Sequence, residues 1–391
     1  MNILRYQPEN VAKRLALNET GLERIVQTLC DWHLAGDLAM QFALYKDGEL
    51  AIEIAVGVDP FTGKNIDNET LFCLLSTTKA LGAIVMLLLH DRGFFAWTDR
   101  IEQYWPSFGN CGKEEATIEH LMCHRIGIPH LTAPWELWGD YAAMTKLVEE
   151  AVPIWRPGTK YGYHGGIYGA ILNELVRRWT GKTVGEILHG EIAQPLGYSN
   201  CYIGVPPSEL GRIAKLKFLE EIPTERLEGP LLSLEHPPWG EHTFYNSNSV
   251  LTTCQPSGGG VANARDLAGV LNTLAFEGTF KSKFFWNQIT QAEATRARNH
   301  AEQEAPGSPS PEGACWGLGF IVSPSPVFYG TLSPGPRTVG HAGASGSVAY
   351  ADPDLKIAVG FTINGLIGSR QYMRYEMLGN LIQDVCITPN K

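Results

Sequence analysis

Ser76 and Lys79 stand three residues apart in Leu75-Ser76-Thr77-Thr78-Lys79. The stretch that follows, residues 80–91, is mostly Leu, Ile, Val, Met and Ala, with no proline and a single glycine. That composition predicts a helix beginning near Ser76 and buried on nearly all sides. Residues three apart share a helix face, which brings the Lys79 ammonium to the Ser76 hydroxyl. A serine hydroxyl is a weak nucleophile at neutral pH until a base takes its proton, and a desolvated lysine has a pKa low enough to do so. The helix N-terminus favours the negative charge that develops there. Ser-x-x-Lys is also a common pattern for a helix cap followed by a surface lysine, so other residues must decide.

Two further stretches carry groups that would complete such a site. Tyr161-Gly162-Tyr163-His164-Gly165-Gly166 follows directly on Trp155-Arg156-Pro157-Gly158 and a short link. Tyrosines between glycines suit a tight loop that presents a side chain. A phenol beside an ammonium gives up its proton more readily, so such a tyrosine acts first as general base and then as acid to a leaving group. The same run also reads as a glycine-rich turn with aromatic packing. The second stretch is Val339-Gly340-His341-Ala342-Gly343-Ala344-Ser345-Gly346-Ser347, ahead of alternating strand residues. Its small residues let a substrate lie along a strand edge. One backbone N–H there, with that of Ser76, would form an oxyanion hole. It reads otherwise as the start of a strand with unusual dihedrals.

The elements that must position these groups follow from periodicity. Residues 9–35 carry apolar side chains at helical spacing. Residues 40–45 and 50–56 read as two strands joined by a hairpin turn at Lys46-Asp47-Gly48-Glu49. From 80 to 245 the chain reads mainly as helix and loop, with helices at 118–123, 142–151, 169–180 and 184–192; Gly181 closes the third. A helix is expected at 264–277, an exposed loop at 302–312, strands at 316–322, 347–351 and 356–363, and a last helix at 371–385. The expected architecture is α/β (α+β): an antiparallel sheet flanked by helices, formed by residues 1–79 and 246–391, with a mainly helical domain, 80–245, inserted beside it. Ser76 falls at the junction, where clefts form.

Composition bounds the partners. With 391 residues, 44% hydrophobic and 18% charged, the chain is globular. A net charge of −10 argues against nucleic acid and anionic membranes. The first ten residues lack the pattern of a signal peptide, and the longest apolar run, 81–89, is too short to span a bilayer. Eight scattered cysteines without a Cys-x-x-Cys pair read as free thiols, so the expected location is cytoplasmic. His120 and His124 have helical spacing, but Leu121-Met122-Cys123 between them lacks a metalloprotease glutamate and suggests packing. Neither metal nor cofactor is expected.

Taken in order, the three stretches resemble the serine β-lactamase and penicillin-binding superfamily, nearest to class C β-lactamases and family VIII carboxylesterases. Ser76-Thr77-Thr78-Lys79 is similar to its Ser-x-x-Lys box, Tyr163-His164-Gly165 to its Tyr box, and His341-Ala342-Gly343 to its Lys-Thr-Gly box in a His-x-Gly form. Residues 120–127 are similar to the family's His-Leu-Leu-x-His-x-x-Gly stretch, with Arg125-Ile126 where small residues are usual. Pro195-Leu196-Gly197 and Gly258-Gly259-Gly260 also fit, so the resemblance runs from about residue 20 to 385. It implies a β-lactamase/transpeptidase-like fold and a covalent serine mechanism. Ser76 is then the nucleophile and Lys79 and Tyr163 share its proton. Tyr163 is preferred to Tyr161 because it precedes His164, as in the esterase branch. His164 itself is expected to pack the loop. The N–H groups of Ser76 and Ala344 would hold the oxyanion, with His341 and Gly343 beside the substrate.

The departures from the pattern narrow the activity. Lactamases and peptidases of the superfamily usually carry Asn or Ser two places after the tyrosine and Lys in the third box; here stand Gly165 and His341. A neutral histidine attracts a carboxylate less than lysine does, so penicillin-like acids are disfavoured. Trp135, Trp138 and Tyr245 lie in aromatic stretches that either wall the cleft, favouring a flat apolar acyl or alcohol group, or pack as ordinary core. The expectation is a carboxylesterase acting on a small ester. An acyltransferase resembling lovastatin acyltransferase is the alternative, ahead of another biosynthetic enzyme, a β-lactamase or a silent binding module. The oligomeric state is left open.

Overall fold

The hairpin at Asp47-Gly48 starts the main sheet. Both residues have positive φ, 52° and 80°, which a two-residue turn between twisted strands requires. It joins Met40–Lys46 to Glu49–Val56. The computed structural model describes residues 3–129, 137, 140–219, 242–298, 304–305, 314–330, 335–366 and 371–386. Eight strands form the sheet in the order Ile3–Tyr6, Glu49–Val56, Met40–Lys46, Ile357–Ile363, Val348–Asp352, Val339–Ala342, Ile321–Val322, Cys315–Trp316. Every neighbouring pair is antiparallel.

Alternate strand residues point to opposite faces, and both faces are covered. Phe42, Leu44, Ile52, Ile54, Val359 and Phe361 share one apolar cluster with Leu22, Ile25 and Leu29 of the Glu19–Leu34 helix and Leu378, Ile382 and Val385 of the Gln371–Cys386 helix. Ala43, Tyr45, Ala349, Ala351 and Ala358 face the other way, toward the helices Thr78–Asp91 and Ala264–Ala275. A side chain at Gly360 would put its Cβ 2.5 Å from the carbonyl oxygen of Ala264, so glycine there lets that helix lie close on the sheet. The Thr78–Asp91 helix has no solvated face from Thr78 to Leu89. It shares its core with the helices Ile118–Met122, Tyr141–Glu150 and Ile167–Thr180, the last closed by Gly181 at φ 72°.

Several elements differ from the sequence expectation. The N-terminal helix is two, Val11–Arg14 and Glu19–Leu34, because Ala16 turns the chain with φ 53° and Asn18 caps the second through its side chain. The strand expected at 316–322 is a pair, Cys315–Trp316 and Ile321–Val322, reversed at Gly319. A four-stranded sheet, Cys201–Ile203, Gly260–Ala262, Leu71–Cys73, Ile213–Ala214, takes two strands from the stretch read as helix and loop. Strands of two or three residues carry no readable period. The exposed loop expected at 302–312 lies outside the described residues apart from Glu304 and Ala305. All eight cysteines are unpaired thiols, and among the described residues no helix is long and apolar enough to cross a membrane.

Candidate active site

Leu71–Cys73 delivers the chain to a tight 3-10 turn, Leu75–Thr77, ahead of the Thr78–Asp91 helix. Leu75 has φ 45°, a left-handed conformation that is costly for a bulky residue. The neighbours hold it there. Thr78 Oγ1 donates to Leu75 O at 2.5 Å and accepts the Gly260 N–H at 2.9 Å, while Leu74 N–H donates to Gly260 O at 2.9 Å. From the other side Thr77 Oγ1 donates to Ser347 O at 2.9 Å. Leu75 and Thr77 are buried, and Ser76 between them stays half-exposed.

Lys79 is 1% exposed. Its Nζ lies 3.4 Å from Ser76 Oγ and donates to the carbonyl oxygen of Ser257 at 2.9 Å. Ser257 is fixed in turn: its hydroxyl donates to Gly166 O at 2.6 Å and accepts the Gly169 N–H at 2.5 Å. The same Nζ is 4.8 Å from the ring centroid of Tyr163 and 5.7 Å from that of Tyr168. The structure thus brings Ser76, Lys79 and Tyr163 together.

The two tyrosines of the second stretch separate. Tyr161 is buried, its hydroxyl 3.1 Å from Glu304 Oε2 and its carbonyl accepting the Ala305 N–H. Tyr163 is half-buried among aromatic rings, with centroids 4.8 Å from His124, 5.5 Å from Trp316 and 6.4 Å from His341. His164 packs the loop: Nδ1–H donates to Gly162 O at 2.6 Å and Nε2 accepts the Ile128 N–H at 3.2 Å. The Arg125 guanidinium donates to Gly158 O and so ties the preceding turn to this corner.

His341 sits in the buried strand Val339–Ala342, with Nδ1 2.6 Å from Ala342 O and Nε2 without a hydrogen-bond partner. Burial, and then the Lys79 charge, push its pKa down to about 3. His124 is pushed well below its ordinary value by burial and by His164, Lys79 and His341. Both imidazoles are therefore neutral at neutral pH. Gly343 approaches the Ser76 turn so closely that a Cβ would meet Leu74 O at 2.1 Å and Thr77 Oγ1 at 2.9 Å. Its carbonyl accepts the Tyr375 hydroxyl. In the turn after it, Gly343 N–H donates to Ser347 O and Gly346 N–H to Gly343 O, both at 2.8 Å.

Ala344 and Tyr245 pack against the cluster that holds Leu75, Leu251 and Val261, so these two share an apolar wall with the residue preceding Ser76. Trp135 and Trp138 lie outside the described residues. Sequence reasoning missed Ser257 and Trp316, and read His124 as packing only. Ser257 directly precedes the noted Gly258-Gly259-Gly260 run, which was the available signal; Trp316 offered none. Among the described residues no group of three or more His, Cys, Asp or Glu is placed to hold a metal.

A sequence profile of the family described as Beta-lactamase matches residues 33–379, most of the chain. The chain belongs to the beta-lactamase family. Among its relatives, the esterase/beta-lactamase LipL of Mycobacterium tuberculosis (strain ATCC 25618 / H37Rv) is 27% identical over 343 residues, covering 83% of this chain and 76% of that protein. A penicillin-binding protein homologue from Caulobacter crescentus superposes with a TM-score of 0.80 at 26% identity, covering 97% of this chain and 100% of the other. A family VIII carboxylesterase gives 0.79 at 25% identity, covering 96% and 99%. This beta-lactamase family member is accordingly an enzyme of the serine hydrolase superfamily with the mixed α/β, antiparallel-sheet fold of those proteins.

Proposed function

We propose that this member of the family is a carboxylesterase that forms an acyl-enzyme on Ser76. The observation that carries the reading is the buried Lys79 ammonium, 3.4 Å from Ser76 Oγ and 4.8 Å from the Tyr163 ring. In this mechanism the ester carbonyl enters beside Ser76, its oxygen on the N–H groups of Ser76 and Ala344. Tyr163, as a phenolate held by the Lys79 ammonium, takes up the hydroxyl proton as Oγ bonds to the carbonyl carbon. Tyr163 passes that proton to the departing alkoxide as the ester C–O bond breaks. Water, deprotonated by the same pair, then releases the acid and restores Ser76. Proton transfer of this kind contributes about 10²- to 10⁴-fold, and each oxyanion donor about 10²- to 10³-fold.

The preference for uncharged esters is supported by His341. Its neutral ring stands where the lactamases carry a cationic lysine, and its Nδ1–H is committed to Ala342 O. A substrate carboxylate therefore finds no charge partner in that ring. Ala344 and Tyr245, partly buried and packed on Leu75, would offer apolar side chains instead. Eight unpaired thiols suit a reducing compartment such as the cytoplasm. The test is intact-protein mass spectrometry after mixing with p-nitrophenyl acetate or butyrate, with Ser76→Ala as control. The expected result is a nitrophenol burst and an acyl adduct on the parent, both absent from Ser76→Ala. No adduct and no Ser76-dependent turnover across several acyl lengths would overturn the proposal. Added alcohols then read the ratio of transfer to hydrolysis.

A further inference from the structure

We propose that His124 is the positioning residue of Tyr163, holding the phenol where proton transfer needs it; this rests on the esterase reading above. His124 carries a local cost. The Ile118–Met122 helix ends in the paired bonds of a Schellman closure, His124 N–H to Leu121 O at 3.1 Å and Arg125 N–H to His120 O at 2.7 Å. That closure needs left-handed backbone just past the cap, and His124 has φ 58°. Glycine takes this conformation without strain, as Gly181 does behind Ile167–Thr180 at φ 72°. A histidine there is strained. Its ring is also buried with Nε2 unbonded, a second cost. Strain of this kind persists where the surroundings over-determine it.

What the residue gains lies on Tyr163. The Gly162 N–H donates to the His124 carbonyl at 3.0 Å, and the His164 N–H donates to His124 Nδ1 at 3.2 Å. One residue thus fixes the chain on both sides of Tyr163, in a loop without regular structure. The His124 ring then packs 4.8 Å from the Tyr163 ring, with Trp316 at 4.9 Å and Tyr168 at 5.3 Å behind it. Nδ1 accepts only while it carries no proton. Burial, with Lys79, His164 and His341 as charged or basic neighbours, keeps the ring neutral, and the His164 N–H facing Nδ1 selects the accepting tautomer. Glycine would satisfy the helix end and lose the loop.

The test compares His124→Phe, which keeps a ring and loses the acceptor, with His124→Asn, which keeps an acceptor near Nδ1 and tolerates left-handed φ. For p-nitrophenyl butyrate, His124→Phe is expected to lower kcat about 10- to 100-fold with KM within about threefold, and His124→Asn to recover to within about threefold of the parent. In a Tyr163→Phe background the His124→Phe loss of kcat disappears, while its loss of Tm remains. A kcat loss that persists in that background overturns the proposal. Where His124→Phe does not fold, His124→Gly, which suits the backbone but lacks the acceptor, takes its place. Tyrosine labelled at 13Cζ gives a readout without turnover, with the Tyr163 signal assigned by Tyr163→Phe. Its titration is expected to move in His124→Phe and return in His124→Asn; an unmoved signal in the folded variant overturns the proposal. Absent Ser76-dependent turnover sinks the esterase reading, and this titration still decides whether His124 sets Tyr163.

Discussion

The two sides of the site are built by opposite means. Ser76 and Lys79 come from one helix start, and the three-residue spacing that brings them to 3.4 Å is a property of the helix itself. Tyr163 comes from an irregular loop, and its place depends on groups distant in sequence: His124, Trp316 and the His341 strand. Each side has a non-glycine residue in left-handed backbone beside the group it presents, Leu75 at φ 45° and His124 at φ 58°. On the Ser76 side that strain is held by the Leu74 N–H on Gly260 O, by the Thr78 hydroxyl between Leu75 O and the Gly260 N–H, and by the close approach of Gly343. On the Tyr163 side it is held by tilted and edge-on rings and by the Gly162 and His164 N–H groups. The local side is set by the helix; the assembled side exists only when the whole core is packed.

Lys79→Met tests the local side and has the largest expected effect. Activity toward p-nitrophenyl butyrate falls about 10³-fold or more, because the buried charge that orients Ser76 and holds the Tyr163 phenolate is removed. Stability moves little, since the desolvation cost of a buried ammonium is removed while the hydrogen bond to Ser257 O is lost. Steady-state kinetics and a thermal melt on one preparation check this. A variant that unfolds along with losing activity would make Lys79 a structural group and erase the contrast.

The paired tyrosines sharpen it. Tyr163→Phe is expected to lose about 10²- to 10³-fold in kcat, with little change in Tm. Tyr161→Phe loses the bond to Glu304 and about 1 kcal/mol of stability, and keeps kcat within about threefold. A reversal, with Tyr161→Phe the inactive one, would move the proposed base to the wrong loop position and break the comparison.

What was legible in the sequence follows the same division. The helix after Ser76, the Asp47-Gly48 hairpin and the Gly181 stop were readable because period, turn chemistry and caps are local signals. The paired boxes gave Ser76, Lys79 and Tyr163, and the structure brings those three together. Trp316 was invisible, since its approach to Tyr163 depends on a two-residue strand pairing at the sheet edge. His124 packs among rings, as its sequence reading had it, but not on a helix face. Its spacing from His120 spoke of a helix face, whereas the helix ends at Met122 and His124 turns out of it. Tyr161 and Tyr163 differ by two residues; the resemblance favoured Tyr163, and long-range contacts with Glu304 and with Lys79 separate them in space.

The smallest expected effect concerns acid, and it asks which side of the site carries the liability. His341, at about 3, and His124, well below its ordinary value, are both held neutral in the folded protein. Below about pH 6.5 the unfolded chain binds protons there that the native state refuses, so stability falls with pH, by about 1.4 kcal/mol per unit for each histidine. Glu53 opposes them. Burial outweighs the attraction of Arg265, 3.6 Å away, and raises its carboxyl to about 7. From there down to its unfolded value of 4.5 the native state binds the extra proton and gains stability as pH falls. Between pH 6.5 and 4.5 the depressed histidines, with His120 the third of them, outweigh the one raised carboxyl and stability falls; below 4.5 the gain ends and the loss steepens. Urea unfolding at pH 7, 5.5 and 4.5 reads these slopes. His341→Gln should make the first window shallower and Glu53→Gln should make it steeper. Both histidines stand against Tyr163, so acid strikes the assembled side first. If His341→Gln leaves the slope unchanged, the Tyr163 side is no more acid-sensitive than the helix that carries Ser76.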